Sequence, residues 1–142
     1  MIEDLTLEDL YVGREARIEW AVRAEDIDAF AVLSGDRNPL HVDDAYAQAR
    51  GFRGRVAHGS LLGAKISQLL GMRLPGRRCL ILEQRTIHSK PIHAGDVVTI
   101  VGSVREAWPE LAVVEIGVRA TAERNGQTET VAKGQVRCKV LF

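Results

Sequence analysis

A carboxylate and an imidazole that could transfer protons lie close together in the segment Ser34-Gly-Asp-Arg-Asn-Pro-Leu-His41. If Asp36 and His41 faced a shared water molecule, they could move protons in both directions near neutral pH. Pro39 cannot continue a helix and favours an extended Asn38, so Asp36 and Asn38 are expected to point the same way. A turn after Pro39 would bring His41 to the same place, and the segment therefore predicts a site for acid–base chemistry.

The same segment also fits a purely structural role. Ser, Gly, Asp, Asn and Pro are typical of turns, in which Asp and Asn side chains often bond only the local backbone. Residue types and spacing taken alone favour this turn over a catalytic site. Only a second functional feature would reverse that preference.

Such a feature is the sequence Ala57-His58-Gly59-Ser60, which precedes a long apolar stretch. The N-terminus of a helix presents free N–H groups and positive potential, which suit a developing oxyanion. Gly59 would let a ligand approach the backbone closely. Gly59 could equally ease the chain into the helix, and Ser60 could be a simple cap.

The elements that would position these groups follow from the hydrophobic pattern. Alternating apolar residues predict a first strand over 16–22. An acidic opening at Glu25-Asp26, followed by apolar residues, predicts a short helix that ends at Gly35. A second short helix is expected over 45–50. The stretch from Gly59 to Met72 is apolar on most sides, which is typical of a buried helix.

The remainder of the chain is rich in β-forming residues and predicts a sheet. Four strand-like runs cover 79–90, 96–107, 111–124 and 128–141. Asn125-Gly126, between the last two, is typical of a type I′ hairpin turn. We therefore expect a single α+β domain over the whole chain, with one mostly antiparallel sheet wrapped around a long central helix. Because these four strands cannot fully enclose that helix, a partner subunit is expected as well.

The composition argues against several classes of partner. Lys plus Arg and Asp plus Glu number 19 each, so the formal net charge is zero, unlike that of proteins that bind nucleic acid or anionic membranes. No apolar run reaches the ~20 residues that a membrane span requires, and the acidic N-terminus lacks the pattern of a signal peptide. We expect a soluble, cytoplasmic protein. Cys79 and Cys138 fit neither a disulfide framework nor a zinc site and are expected to be buried free thiols.

Three motifs together resemble those of the MaoC-like, (R)-specific enoyl-CoA hydratases, which have the hotdog fold. They are Phe30-Ala-Val-Leu-Ser-Gly-Asp-Arg-Asn-Pro-Leu-His-Val-Asp43, Val56-Ala-His-Gly-Ser-Leu-Leu62 and Lys90-Pro-Ile-His-Ala-Gly-Asp-Val97. Their order and spacing match the family, and the likeness covers nearly the whole chain. The resemblance implies a hotdog fold and the reversible hydration of trans-2-enoyl thioesters to (R)-3-hydroxyacyl thioesters. It reverses the preference for a simple turn.

The resemblance also implies roles for individual residues. Asp36 and His41 match the catalytic pair that holds the attacking water, and Gly59 matches the residue whose N–H binds the thioester carbonyl. Asn38 would orient the pair or the water. Ser67 falls where some relatives place a serine that lines the site, although it could equally bond a carbonyl of its own helix. These groups would suffice without a metal or a redox cofactor.

Several alternatives stay open. A hotdog thioesterase would use the same oxyanion donor, and a non-catalytic subunit could bind the acyl thioester without turning it over. A homodimer with the two sheets joined edge to edge is expected, whereas the acyl chain length and the carrier, coenzyme A or acyl carrier protein, are open. His88 departs from the aromatic residue that is usual in the family, which bears on the chain length. His58 is expected to pack or to form hydrogen bonds rather than to catalyse.

Overall fold

The computed structural model of the protein describes residues 1–142, and a five-stranded antiparallel sheet runs through it. The strands are β1 (Glu15–Ala21), β2 (Cys79–His88), β3 (Val97–Trp108), β4 (Val113–Arg124) and β5 (Gln127–Val140). Their order across the sheet is β1-β3-β4-β5-β2, so that β1 and β2 form the two edges. The predicted antiparallel sheet is thus confirmed, with the first predicted strand joined to it through β3.

Four α-helices lie between β1 and β2 in the sequence. They are α1 (Ala24–Ser34), α2 (Pro39–Val42), α3 (Asp44–Gln48) and α4 (Gly59–Met72). Two 3₁₀ turns, Leu7–Asp9 and Pro109–Leu111, complete the elements. No helix combines the length and the apolar composition needed to cross a membrane.

Two turns behave as their residue types predict. Gly35 ends α1 in the left-handed region, with φ of 77°, where a side chain would be strained. Asn125 and Gly126 both have positive φ and join β4 to β5, as a type I′ hairpin requires.

The core forms where α4 packs on the sheet. Leu62, Ile66, Leu69 and Leu70 of α4 are almost completely buried and belong to one cluster of 26 buried residues that includes the inward side chains of the strands. The predicted central helix is therefore confirmed. The opposite side of α4 is exposed in the single chain, in agreement with the expectation that the strands cannot fully enclose this helix; its exposed residues are Ser60, Ala64, Ser67 and Gln68.

The two cysteines lie next to each other on neighbouring strands. Cys79 on β2 and Cys138 on β5 are both free thiols, with their sulfur atoms 3.5 Å apart. Cys138 is fully buried, as predicted, whereas Cys79 is only half-buried because it begins the edge strand.

Candidate active site

The turn between α1 and α2 is built from side-chain bonds to the local backbone. The Ser34 hydroxyl accepts from the Asp36 N–H at 3.1 Å, and Asp36 Oδ1 accepts from the Asn38 N–H at 3.1 Å. Asn38 Oδ1 accepts in turn from the Leu40 N–H at 3.0 Å and caps α2. The turn predicted as the structural alternative is therefore real. It leaves the second carboxylate oxygen of Asp36 free.

That free oxygen is directed to His41. The single turn of α2, which begins at Pro39, carries His41 back so that its Nε2 lies 3.7 Å from Asp36 Oδ2. Turn and site are consequently the same structure. Asn38 contributes to it as the cap of α2, and its side-chain oxygen is used by the backbone rather than by the pair.

The other nitrogen of the His41 ring, Nδ1, contacts a backbone carbonyl. His41 Nδ1 lies 2.6 Å from the carbonyl oxygen of Val56, which can only accept a hydrogen bond. Nδ1 therefore carries a hydrogen, and Nε2 is the ring nitrogen that lies beside Asp36. The side chain is only 14% exposed, whereas that of Asp36 is 52% exposed, so the pair lies at the rim of a partly enclosed site.

His58 contacts both members of this pair. Its Nε2 donates to the backbone carbonyl of Asp36 at 2.9 Å, and its ring stacks on that of His41 with centroids 3.8 Å apart. Phe30 packs edge-on against the His58 ring, with the ring centroids 4.9 Å apart. The expected packing and hydrogen-bonding role of His58 is confirmed. What the sequence did not indicate is that the partners are the proposed catalytic residues.

Asp36, His41 and His58 together offer ligand atoms that lie within 4.8 Å of one another, a combination that could hold a transition metal. The two rings, however, are nearly parallel, with 23° between their planes. Stacked rings direct their lone pairs side by side rather than towards one point. An ion bound by Asp36 could thus gain only one of the histidines, fewer than the three or four protein ligands of a typical site.

Helix α4 begins directly after His58, so its N-terminus lies next to the pair. The first N–H groups of a helix have no partner within the helix, and Gly59 supplies the first of them. A Cβ atom on Gly59 would lie 3.0 Å from Nε2 of His88, which packs across this residue from β2. A side chain at this position would therefore displace the His88 ring.

A buried ionic network holds the segment that precedes α4. Val56 pairs with His93, and His93 Nδ1 donates to the carbonyl of Arg55 at 3.0 Å. Asp96, only 1% exposed, accepts from the His93 N–H at 2.8 Å and from the side chains of Arg53 and Arg124. Burial alone would raise the pKa of Asp96, but these hydrogen bonds hold it below its usual range. The motif from Lys90 to Val97 therefore holds the segment that contains Val56, whose carbonyl contacts Nδ1 of His41.

The structure does not bring Ser67 to the pair. Ser67 lies two turns beyond Gly59, on the exposed side of α4, roughly 12 Å along the helix axis. Its hydroxyl forms no hydrogen bond to a helix carbonyl, so neither expectation for this residue has support in the single chain. The groove beside Gly59 is instead lined by residues of α4 and β2: Gly59, Ser60, Gly63, Gln84, Thr86 and His88.

Residues 12–124 match the family described as the MaoC-like domain. The chain belongs to this family. It is also 38% identical over 122 residues to the (R)-specific enoyl-CoA hydratase of Rhodospirillum rubrum, a match that covers 84% of this chain and 85% of that protein.

Solved structures agree with the family. An (R)-hydratase from Pseudomonas aeruginosa superposes with a TM-score of 0.89 at 31% identity, covering 99% of this chain and 88% of that one. The (R)-hydratase from Aeromonas caviae that takes part in PHA biosynthesis superposes with a TM-score of 0.87 at 32% identity, covering 94% and 98%. The expected hotdog fold of the MaoC-like family is confirmed.

Proposed function

We propose that this MaoC-like protein catalyses the reversible hydration of trans-2-enoyl thioesters to (R)-3-hydroxyacyl thioesters, with Asp36 and His41 as the catalytic pair. The observation that carries the proposal is the approach of Asp36 Oδ2 to Nε2 of His41, whose other ring nitrogen is bonded to the Val56 carbonyl, beside the N-terminus of α4. The names of the relatives in R. rubrum and A. caviae support the same reaction.

Each step of hydration has a group to perform it. The oxygen of water bonds to C3 of the substrate while one proton passes to the pair, and the pair returns a proton to C2. Because Nε2 of His41 and the Asp36 carboxylate lie side by side, the two groups can hold the water and exchange its proton as one coupled unit.

The negative charge that develops on the thioester carbonyl oxygen needs a donor. The Gly59 N–H and the positive end of the 14-residue helix α4 provide one without any side chain. Water activation, proton return and oxyanion binding are thus all assigned to groups of this chain. We therefore propose that the reaction needs no metal or redox cofactor and that coenzyme A or acyl carrier protein enters only as part of the substrate.

A homodimer in the cytoplasm is part of the proposal. Strand β2 is an unpaired edge, and three of its apolar side chains, Leu80, Leu82 and Ile87, are 50%, 55% and 60% exposed. An open edge with exposed apolar residues favours pairing with another strand. Two copies joined along β2 would form one continuous sheet and would lie beside the exposed side of α4.

The function is tested by mixing the purified protein with crotonyl-CoA and following two signals in parallel. Loss of absorption by the conjugated double bond, with no release of free thiol, is the result expected for a hydratase. Release of thiol, detected with a thiol reagent, would instead identify a thioesterase. Binding of crotonyl-CoA with neither signal would identify a non-catalytic acyl-thioester-binding subunit.

A further inference from the structure

The side of β2 that faces α4 changes from apolar to polar along the strand. Cys79 and Ile81, in the first part, are partly buried and pack on the core. After an irregularity between Ile81 and Glu83, the side chains that line the groove are polar: Gln84, Thr86 and His88. The groove has a volume of about 340 Å³, and no apolar side chain lines it. It is therefore poorly suited to an alkyl chain and well suited to a ligand that forms hydrogen bonds.

Two glycines of α4, one turn apart, lie opposite these polar side chains. Nε2 of His88 would be 3.0 Å from a Cβ on Gly59, and Nε2 of Gln84 donates to the Gly63 carbonyl at 3.2 Å. The His88 side chain forms no hydrogen bond within the chain, whereas the Gln84 side chain joins β2 to α4 at the part of the groove beside Gly63. The free imidazole thus lies at the end of the groove that adjoins Gly59.

The proposed chemistry sets the direction of the substrate. With the carbonyl oxygen at the Gly59 N–H, carbons C2 and C3 must lie against Asp36 and His41. Asp36 and His41 both contact His58, the residue before α4, and neither of them lines the groove. The other substituent of the carbonyl, the sulfur and the arm attached to it, therefore leads away from the pair and along the groove.

We propose that this groove binds the amide-bearing thiol arm of the carrier and that His88 positions the substrate by a hydrogen bond to the amide nearest the sulfur. An imidazole can donate to the amide carbonyl through one nitrogen or accept from the amide N–H. The arm is common to coenzyme A and acyl carrier protein. This inference rests on the proposed hydratase function and adds a specificity-determining residue to it.

The test compares two crotonyl thioesters of matched length, crotonyl-N-acetylcysteamine, which contains the amide, and S-pentyl thiocrotonate, which does not. His88→Phe should lower kcat/KM about tenfold for the amide substrate, the loss that corresponds to one hydrogen bond, mainly through KM. For the pentyl thioester the change should stay within about twofold, since no hydrogen bond is lost. His88→Gln should recover most of the loss, and Leu111→Phe, at an exposed residue outside both the groove and the β2 edge, is the control.

Other results would overturn the inference. If His88→Phe lowered kcat/KM equally for the two thioesters, His88 would have a structural role. If it raised kcat/KM for trans-2-octenoyl-CoA, the groove would bind the alkyl chain. If His88→Phe lowered kcat/KM for crotonyl-CoA but not for crotonyl-acyl carrier protein, the contact would lie outside the arm that the two carriers share. In all three cases the wild-type enzyme stays active. An inactive wild-type protein would overturn the proposed hydration itself, and this inference with it.

Discussion

At the scale of single residues, one hydrogen bond determines which nitrogen of His41 can react. Nδ1 is held by the Val56 carbonyl, so that Nε2 is the nitrogen left to exchange protons in the proposed reaction. His58 supports both groups by stacking on one and bonding the backbone of the other. The reactive geometry therefore depends on the Val56 carbonyl and the His58 ring, both of which are far from Asp36 in the sequence.

Gly59 gives the most direct residue-scale prediction. In Gly59→Ala the new methyl group meets the His88 ring at 3.0 Å, so either the ring or the start of α4 must shift beside the proposed oxyanion donor. Alanine keeps the N–H but displaces its surroundings, so we expect kcat/KM for crotonyl-CoA to fall by about 10²-fold, as when a reacting group is misplaced by about 1 Å, while the thermal unfolding midpoint changes little.

The control is Gly71→Ala in the same helix, where a Cβ meets nothing within 4 Å. Activity should be unchanged there, and alanine should stabilise the helix by about 0.5–1 kcal/mol. A fully active Gly59→Ala variant would contradict the close approach of the thioester carbonyl to this part of the backbone.

At the scale of elements, α1 is attached to β1 through Asp26. Its carboxylate accepts from Trp20 Nε1 at 3.1 Å and from both the backbone and the guanidinium of Arg23, which closes the N-terminus of α1. The hydrogen bonds from the Arg23 side chain, with smaller contributions from Trp20 and the Arg23 N–H, lower the pKa of Asp26 to about 2. Because α1 leads directly into the turn that carries Asp36, this attachment also supports the site.

A carboxylate with a lowered pKa contributes stability that is present above its unfolded pKa of about 3.9 and is lost as the pH falls towards 2. We expect Asp26→Asn to lower the free energy of unfolding by about 1–2 kcal/mol at neutral pH. The difference from wild type should shrink between pH 4 and 2, as measured by urea denaturation. A difference that stayed constant over this range would exclude the charge of Asp26 as its source.

Elements were predictable from sequence to the extent that their determinants are local. Three features could be predicted from a few neighbouring residues, and the structure confirms them: the end of α1 at Gly35, the Asn125-Gly126 hairpin and the apolar helix α4. The exposed side of α4 agrees with the expectation that the strands cannot fully enclose this helix, although apolar periodicity does not say which residues lie on that side.

The candidate site was only partly predictable for the same reason. The approach of Asp36 to His41 is set within one turn, whereas the stacking of His58 on His41 and the packing of His88 across Gly59 join separate elements. Only the tertiary fold brings them together. The function of Asn38 as a helix cap, by contrast, was within reach, since Asn before Pro at a helix start is a common cap.

At the scale of the whole molecule, the proposed homodimer depends on the sheet edge at β2. If two copies pair along β2, Leu82→Lys should convert the dimer to a monomer, because it adds a charge to an edge that must become buried. Val12→Lys, at a residue 66% exposed near the other edge, is the matched control and should leave the dimer intact. Light scattering after size-exclusion chromatography gives the molar mass, and a wild-type monomer would contradict the proposal.

The central claim, that Asp36 and His41 hydrate the enoyl thioester, is tested most directly by kcat/KM of Asp36→Asn with crotonyl-CoA. Asparagine retains the oxygen that accepts from the Asn38 N–H, so the turn should persist while the base is lost. We predict a fall of about 10²–10⁴-fold, the usual contribution of acid–base catalysis, with no fall in the exposed control Glu110→Gln. Activity of Asp36→Asn equal to that of the wild-type protein would contradict the account.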